Sequence, residues 1–216
     1  ISVLSSIKTV DIKHTSEIST FDPTWVDSLS LSLPCYGIPV PKRTMRLPNA
    51  PRNYRNGTHK GLDFFANWGT PVRSVADGIV VRSDLHYEEV PADFRENLLK
   101  ATTKVGYTPS DIFNNVLLGK SVFLDHGFDL IPGFRTISIY AHLSHIEKEI
   151  VPGAVVKRGE LLGKSGNTGM RESTIGSKAG SHLHWEMILQ KGEQEIYLGK
   201  GMSNPELYDM LFRIFN

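Results

Sequence analysis

The 216-residue chain holds one cysteine, Cys35. With no second thiol it forms no internal disulfide, so its fold must rest on a hydrophobic core, which a chain of this length can bury. No run of 18 apolar residues occurs, which excludes a membrane-spanning helix within these residues. A basic excess is missing too: 24 Lys and Arg stand against 23 Asp and Glu. Nucleic-acid binding calls for such an excess, so that class is set aside. Apolar residues make up 40% and charged residues 22%, an ordinary globular balance that excludes disordered, collagen-like and coiled-coil chains. Repeats and low-complexity tracts are absent, and oligomeric state is not legible. What the chain does have is histidine, eight in all.

Residues 1 to about 56 read as an extended arm, because Pro34, Pro39, Pro41, Pro48 and Pro51 recur too often for a helix or a central strand. Residues 57–216 read as the body. From Val72 onward its texture is β. Val72 to Val81, Ser121 to Asp125, Thr136 to Leu143 and His182 to Leu189 are alternating, β-branched or aromatic, and glycines punctuate 153–169. A helical insertion is expected at about 85–118, where Phe94, Leu98, Ala101 and Val105 follow Pro91 at helical spacing and Ser110 opens a further turn or two. A C-terminal helix is expected after Asn204 and Pro205, with Leu207, Met210, Leu211 and Ile214 on its apolar face. The chain starts at Ile1 rather than Met, and the expectation is an exported protein whose signal peptide or anchor lies upstream.

Three histidine clusters stand out. In His59-Lys60-Gly61-Leu62-Asp63 both end residues are of zinc-ligand type. On a straight strand they would lie roughly 13 Å apart, too far to share one ion. Sharing requires a bend, which Gly61 permits. Taken alone, the pair also fits a surface His–Asp hydrogen bond. In His182-Leu183-His184-Trp185-Glu186, strand alternation puts His182, His184 and Glu186 on one face, and Leu183, Trp185, Met187 and Leu189 on the other. Two imidazoles roughly 7 Å apart along a strand can reach one small site. In Tyr140-Ala141-His142-Leu143, the expected core face is Ile137, Ile139, Ala141 and Leu143, with Ser138, Tyr140 and His142 aimed away from it. A solvent-facing histidine fits that strand as well.

The three clusters occur in order with HKGLDF, GTPV, ADGIVV, VFLDHG, ISIYAHLS, PGAVVKRGELLGKSGNTG and SHLHWEM. Together these resemble the lysostaphin or LytM type of zinc metallopeptidase, over roughly residues 57 to 190. Members of that family cut peptide bonds in bacterial peptidoglycan. The resemblance implies a mainly β fold, an antiparallel sheet forming a groove (the duplicated hybrid motif), here with the helical insertion and the C-terminal helix added. It implies His59, Asp63 and His184 as ligands of one zinc ion per chain, and His142 and His182 as the catalytic histidines. Two histidines and a carboxylate with an open position make a catalytic zinc set. HExxH is absent, so a neutral imidazole is the expected base: His182, with His142 stabilising developing negative charge, or the two roles exchanged or shared. The implied substrate is a peptide stem or cross-link of peptidoglycan, a D,D-bond first and a glycine bridge second. The implied location is the periplasm, cell envelope or exterior.

Bland readings attach to the rest: His14, His86 and His145 to the surface, His126 to a strand end. Glu186 is expected either to orient a ligand imidazole or simply to be exposed. Cys35, Asn53 and Asn56 are candidates to reach the open zinc position from the arm. Two other classes compete. ADGIVV and PGAVVKRGELLG resemble half-repeats of biotinyl or lipoyl carriers, but the modifiable lysine tripeptide is missing. A catalytically silent, LytM-like wall-binding protein or amidase activator would lack ligands, and none is lacking here.

Overall fold

A computed structural model describes residues 20–215; the first nineteen residues of the expected arm, His14 among them, and Asn216 lie outside the described residues. Twelve strands follow in the described chain: β1 (Pro51–Arg52), β2 (Gly57–Thr58), β3 (Leu62–Phe64), β4 (Pro71–Arg73), β5 (Gly78–Ser83), β6 (Val122–Asp125), β7 (Arg135–Ala141), β8 (Leu143–Ile146), β9 (Val155–Val156), β10 (Leu161–Ser165), β11 (Leu183–Lys191) and β12 (Gln194–Tyr197). The helices are α1 (Ala92–Val105), α2 (Ser110–Ile112), α3 (Arg171–Thr174) and α4 (Glu206–Ile214). All the strand pairs are antiparallel. The larger sheet runs β12-β11-β7-β6-β5-β9, with β3 also paired to β11; the smaller is β4-β10-β8. The fold is mainly β, as the sequence pattern predicts.

β11 is the strand on which the rest is organised. Leu183, Trp185, Met187 and Leu189 are all fully buried in the main core. Burying Trp185 contributes on the order of 2–3 kcal/mol, and Phe215 stacks edge-on against it at 5.1 Å. The alternation expected of this strand is the one observed.

β7 departs from expectation. Its register pairs Trp185 with Tyr140 and Met187 with Ser138, so Tyr140 and Ser138 share the core face of β11. Both are fully buried. Their hydroxyls are satisfied there, which removes the usual cost of burial. Tyr140 Oη accepts the Val75 N–H at 2.9 Å, and Ser138 Oγ lies 2.7 Å from His126 Nε2. Ile139 and Ala141 point the other way, into a small second cluster with Leu118, against which Phe113 packs. The apolar and polar faces of β7 are thus the reverse of those read from the sequence.

The insertion is helical as expected. Pro91 precedes α1, and Gly106, at φ +90°, ends it. The face turned inward is not the Phe94–Val105 stripe, which is largely exposed, but the one carrying Arg95 and Thr102. After α2 the chain makes a π turn over 113–117. In α4 the buried residues are Leu207, Met210, Leu211 and Ile214, the predicted face.

Residues 20–56 contain only short 3-10 turns and β1. Phe21, Val26, Leu31, Val40 and Leu47 join the main core, and the Leu31 N–H donates to the Ile214 carbonyl at 2.7 Å. Cys35 lies in that core, where burial pushes its thiol up to about 12. No helix among the described residues is long and apolar enough to cross a membrane.

Candidate metal centre and catalytic groove

His59 enters the site from the turn after β2, Asp63 from β3 and His184 from β11. The β3–β11 register sets Asp63 directly opposite His184. That register needs Gly61: a Cβ there would collide with the Trp185 carbonyl oxygen. The chain does bend between His59 and Asp63, and the need for glycine is this close approach of β11 rather than a left-handed backbone.

Three donor atoms converge. His59 Nε2 lies 2.9 Å from Asp63 Oδ1 and 3.0 Å from His184 Nδ1, and His184 Nδ1 lies 2.8 Å from Asp63 Oδ1. Among the described residues this is the group of ligand-type side chains close enough to hold one ion. The far nitrogen of each imidazole is already engaged. His59 Nδ1 donates to the Leu47 carbonyl at 2.8 Å, and His184 Nε2 donates to Glu186 Oε1 at 2.7 Å. These bonds aim the remaining lone pairs at the common point, as outer partners of metal ligands do. Arg52 Nη2 holds the other Asp63 oxygen, Oδ2, at 3.0 Å. The donor set, two imidazole nitrogens and a carboxylate, all buried, fits zinc.

The electrostatics agree with a cation-binding site. Burial opposes charge on His184, but hydrogen bonds to Asp63 and Glu186 outweigh it and push the imidazole up to about 9. Burial also opposes ionisation of Asp63, yet its bonds to His182, His184 and His59 hold the carboxyl well below the usual range. His59 is lowered, chiefly by burial.

His142 and His182 flank this cluster. Their ring centroids are 4.9 Å apart, and that of His142 is 5.6 Å from His184. His182 Nδ1 donates to the Gly180 carbonyl at 2.7 Å, leaving Nε2 3.5 Å from Asp63 Oδ1. His142 Nδ1 donates to the Thr168 carbonyl at 2.8 Å, which leaves its Nε2 free. Burial, and then the neighbouring His182 and His184, hold His142 well below its ordinary value, so its neutral form prevails near pH 7. Strand alternation would send His142 to the core side beside Tyr140. Its φ of +59° ends β7 and swings the ring toward the metal ligands.

The five residues line one groove of about 700 Å³. Ala92, Asp93, Glu96 and Leu99 of α1 form part of its wall, and Arg171, Glu172 and Thr174 of α3 another. Sequence reasoning missed Arg52, whose contact depends on the two-residue β1–β2 pairing, and the orienting carbonyls of Leu47, Thr168 and Gly180, which carry no side-chain signal. Of the arm candidates, Cys35 is in the core, while Asn53 and Asn56 are exposed and do not line the groove. Glu186 is buried, not exposed. His126 stands at the end of β6, as expected, and is buried there, bonded to the Asp77 carbonyl and Ser138. His86 and His145 are exposed.

Residues 57–196 match the family model described as Peptidase family M23. The chain belongs to that family. The match bears out the lysostaphin and LytM resemblance. Among curated relatives, an uncharacterized metalloprotease of Haemophilus influenzae is 32% identical over 128 residues, 59% of this chain and 18% of the relative. The peptidoglycan DD-endopeptidase ShyA of Vibrio cholerae is 29% identical over 140 residues, 65% of this chain and 22% of the relative. The chain thus spans about a fifth of the length of these two relatives. Among solved structures, the catalytic domain of lysostaphin from Staphylococcus simulans is 20% identical, with a TM-score of 0.41, covering 87% of this chain and 98% of that one.

Proposed function

We propose that the protein is a zinc-dependent endopeptidase that hydrolyses peptide cross-links of peptidoglycan, with one ion held by His59, Asp63 and His184. The observation that carries this is the convergence of His59 Nε2, Asp63 Oδ1 and His184 Nδ1 beside two further imidazoles whose Nδ1 atoms are held by backbone carbonyls. A bound zinc ion supplies Lewis acidity, polarising a scissile carbonyl and acidifying water.

His182 is the nearer base, since its Nε2 already touches the ligand cluster. Both catalytic rings enter as proton acceptors, because each Nδ1–H is committed to a backbone carbonyl. Either ring can donate from Nε2 only after taking a proton there. His142 therefore stabilises developing negative charge as an imidazolium and accepts a proton when neutral, and the two roles exchange as the proton moves. The completeness of the set argues against the silent wall-binding or activator alternative.

A D,D-bond of a cross-bridge is the first choice of substrate, supported by the family and by the DD-endopeptidase among the relatives, and a glycine bridge the second. Such a substrate places the enzyme in the periplasm, cell envelope or exterior. The same reading takes 57–216 as the peptidase unit, with 20–56 strapped onto its core. Zinc-loaded protein incubated with defined muropeptide dimers, followed by mass spectrometry, tests it. Release of monomers is expected; intact dimers of both bridge types would overturn it.

A further inference from the structure

The insertion does more than wall the groove. Both of its ends grip one turn, Thr168–Gly169. At the start, Glu89 Oε2 accepts the Gly169 N–H at 3.0 Å and Arg95 Nε donates to the Gly169 carbonyl at 2.9 Å. At the end, Leu117–Gly119 packs so closely that a Cβ on Gly169 would meet Gly119 N at 2.6 Å and Leu117 O at 2.7 Å. Thr168 Oγ1 accepts the Lys120 N–H at 2.9 Å. The Thr168 carbonyl, held from both sides, is the one that fixes the His142 ring. Tyr87 completes the chain: its hydroxyl donates to Glu89 Oε1 at 2.9 Å. Burial, then the charge of Glu89, pushes that hydroxyl above its ordinary range, so it stays protonated and donating.

We propose that Glu89 is a positioning residue for the hydrolysis, fixing the ring of His142 through the Gly169 N–H and the Thr168 carbonyl, so that the insertion is part of the catalytic scaffold. The proposal rests on the peptidase reading. Glu89 is the residue that separates positioning from substrate contact, because Arg95 lines the groove and Glu89 does not.

The test compares zinc-loaded wild type with Glu89→Ala and Glu89→Gln. A displaced catalytic group costs roughly 10–100-fold, so Glu89→Ala is expected to lower kcat by about that factor, with KM and zinc content unchanged. Glu89→Gln is expected to restore kcat, since its amide oxygen can accept the Gly169 N–H. Tyr87→Phe removes one hydrogen bond and leaves the groove untouched; a loss of about threefold to tenfold in kcat is expected from the net worth of such a bond. An unchanged kcat in both Glu89→Ala and Tyr87→Phe, an effect confined to KM, or no rescue by glutamine would each overturn the proposal. A readout independent of turnover is the proton resonance of the His142 Nδ1–H, expected to shift or vanish in Glu89→Ala while that of His182 stays. If wild type cleaves no muropeptide the peptidase reading fails, and the His142 resonance still decides the positioning.

Discussion

The backbone N–H of His142 donates to the carbonyl of Leu118 at 2.9 Å. This bond joins the last residue of the insertion to a catalytic candidate, and it does so at the point where the chain leaves the large sheet for the small one. A left-handed backbone at a non-glycine residue costs on the order of 1–2 kcal/mol. At His142 that conformation is held from two sides, by the Leu118 carbonyl on its N–H and the Thr168 carbonyl on its ring. What it achieves is a change of face where the chain passes from β7 to β8.

The two kinds of histidine should separate on substitution. His184→Ala removes a donor and leaves Glu186 buried without its partner; loss of zinc and of activity together is expected. His142→Ala leaves all three donors in place. It is expected to keep stoichiometric zinc while kcat falls by about 10²–10⁴-fold, the usual worth of a general acid–base group. Metal analysis after dialysis, paired with muropeptide hydrolysis, checks both.

Glu186 should matter to zinc without touching it. Its carboxylate holds His184 Nε2–H at 2.7 Å, and Glu186→Gln keeps the shape but weakens that bond. Outer partners of this kind are worth about 10–100-fold in metal affinity. Competition with a chelator is expected to show a loss in that range, and an affinity equal to wild type would contradict the role.

Gly61→Ala should damage the site through the backbone. The new Cβ meets the Trp185 carbonyl, which is a rigid part of β11. Overpacking costs about 1–3 kcal/mol or more, and here it falls on the β3–β11 register that sets Asp63 opposite His184. A lower urea midpoint together with weaker zinc binding is expected.

His126 should make stability depend on pH. Burial holds its folded pKa below the ordinary value, which is about 6.5 in the unfolded chain. Between the two values the unfolded chain binds a proton that the folded one does not, so stability rises with pH there. The contribution is complete above about pH 6.5 and is lost as the pH falls through the folded value. Urea midpoints of wild type should therefore drop more between pH 7.5 and 5 than those of His126→Gln.

The sequence pattern reveals the elements that alternate cleanly. β11 reads correctly because every core position on it is apolar and every site position polar. β7 reads wrongly because Ser138 and Tyr140 are polar residues buried by a network, His126–Ser138–Tyr140–Val75, that joins three separate parts of the chain. Alternation puts His142 opposite the core only from the misassigned face of β7; the structure turns it there through a left-handed residue. The ligand trio came from a motif with strong chemical content. Arg52, Leu47, Thr168 and Gly180 did not, since three act through a backbone carbonyl and the fourth through a fold-back no local pattern announces.

Candidate ligand His184 and core residue Trp185 are neighbours on one strand, facing opposite sides of the sheet. The His184 donor is therefore tied to the core: β11 cannot move it by a local excursion without also withdrawing the Trp185 indole. An ion bound by His59, Asp63 and His184 would therefore stabilise the folded domain as a whole by mass action rather than a single loop.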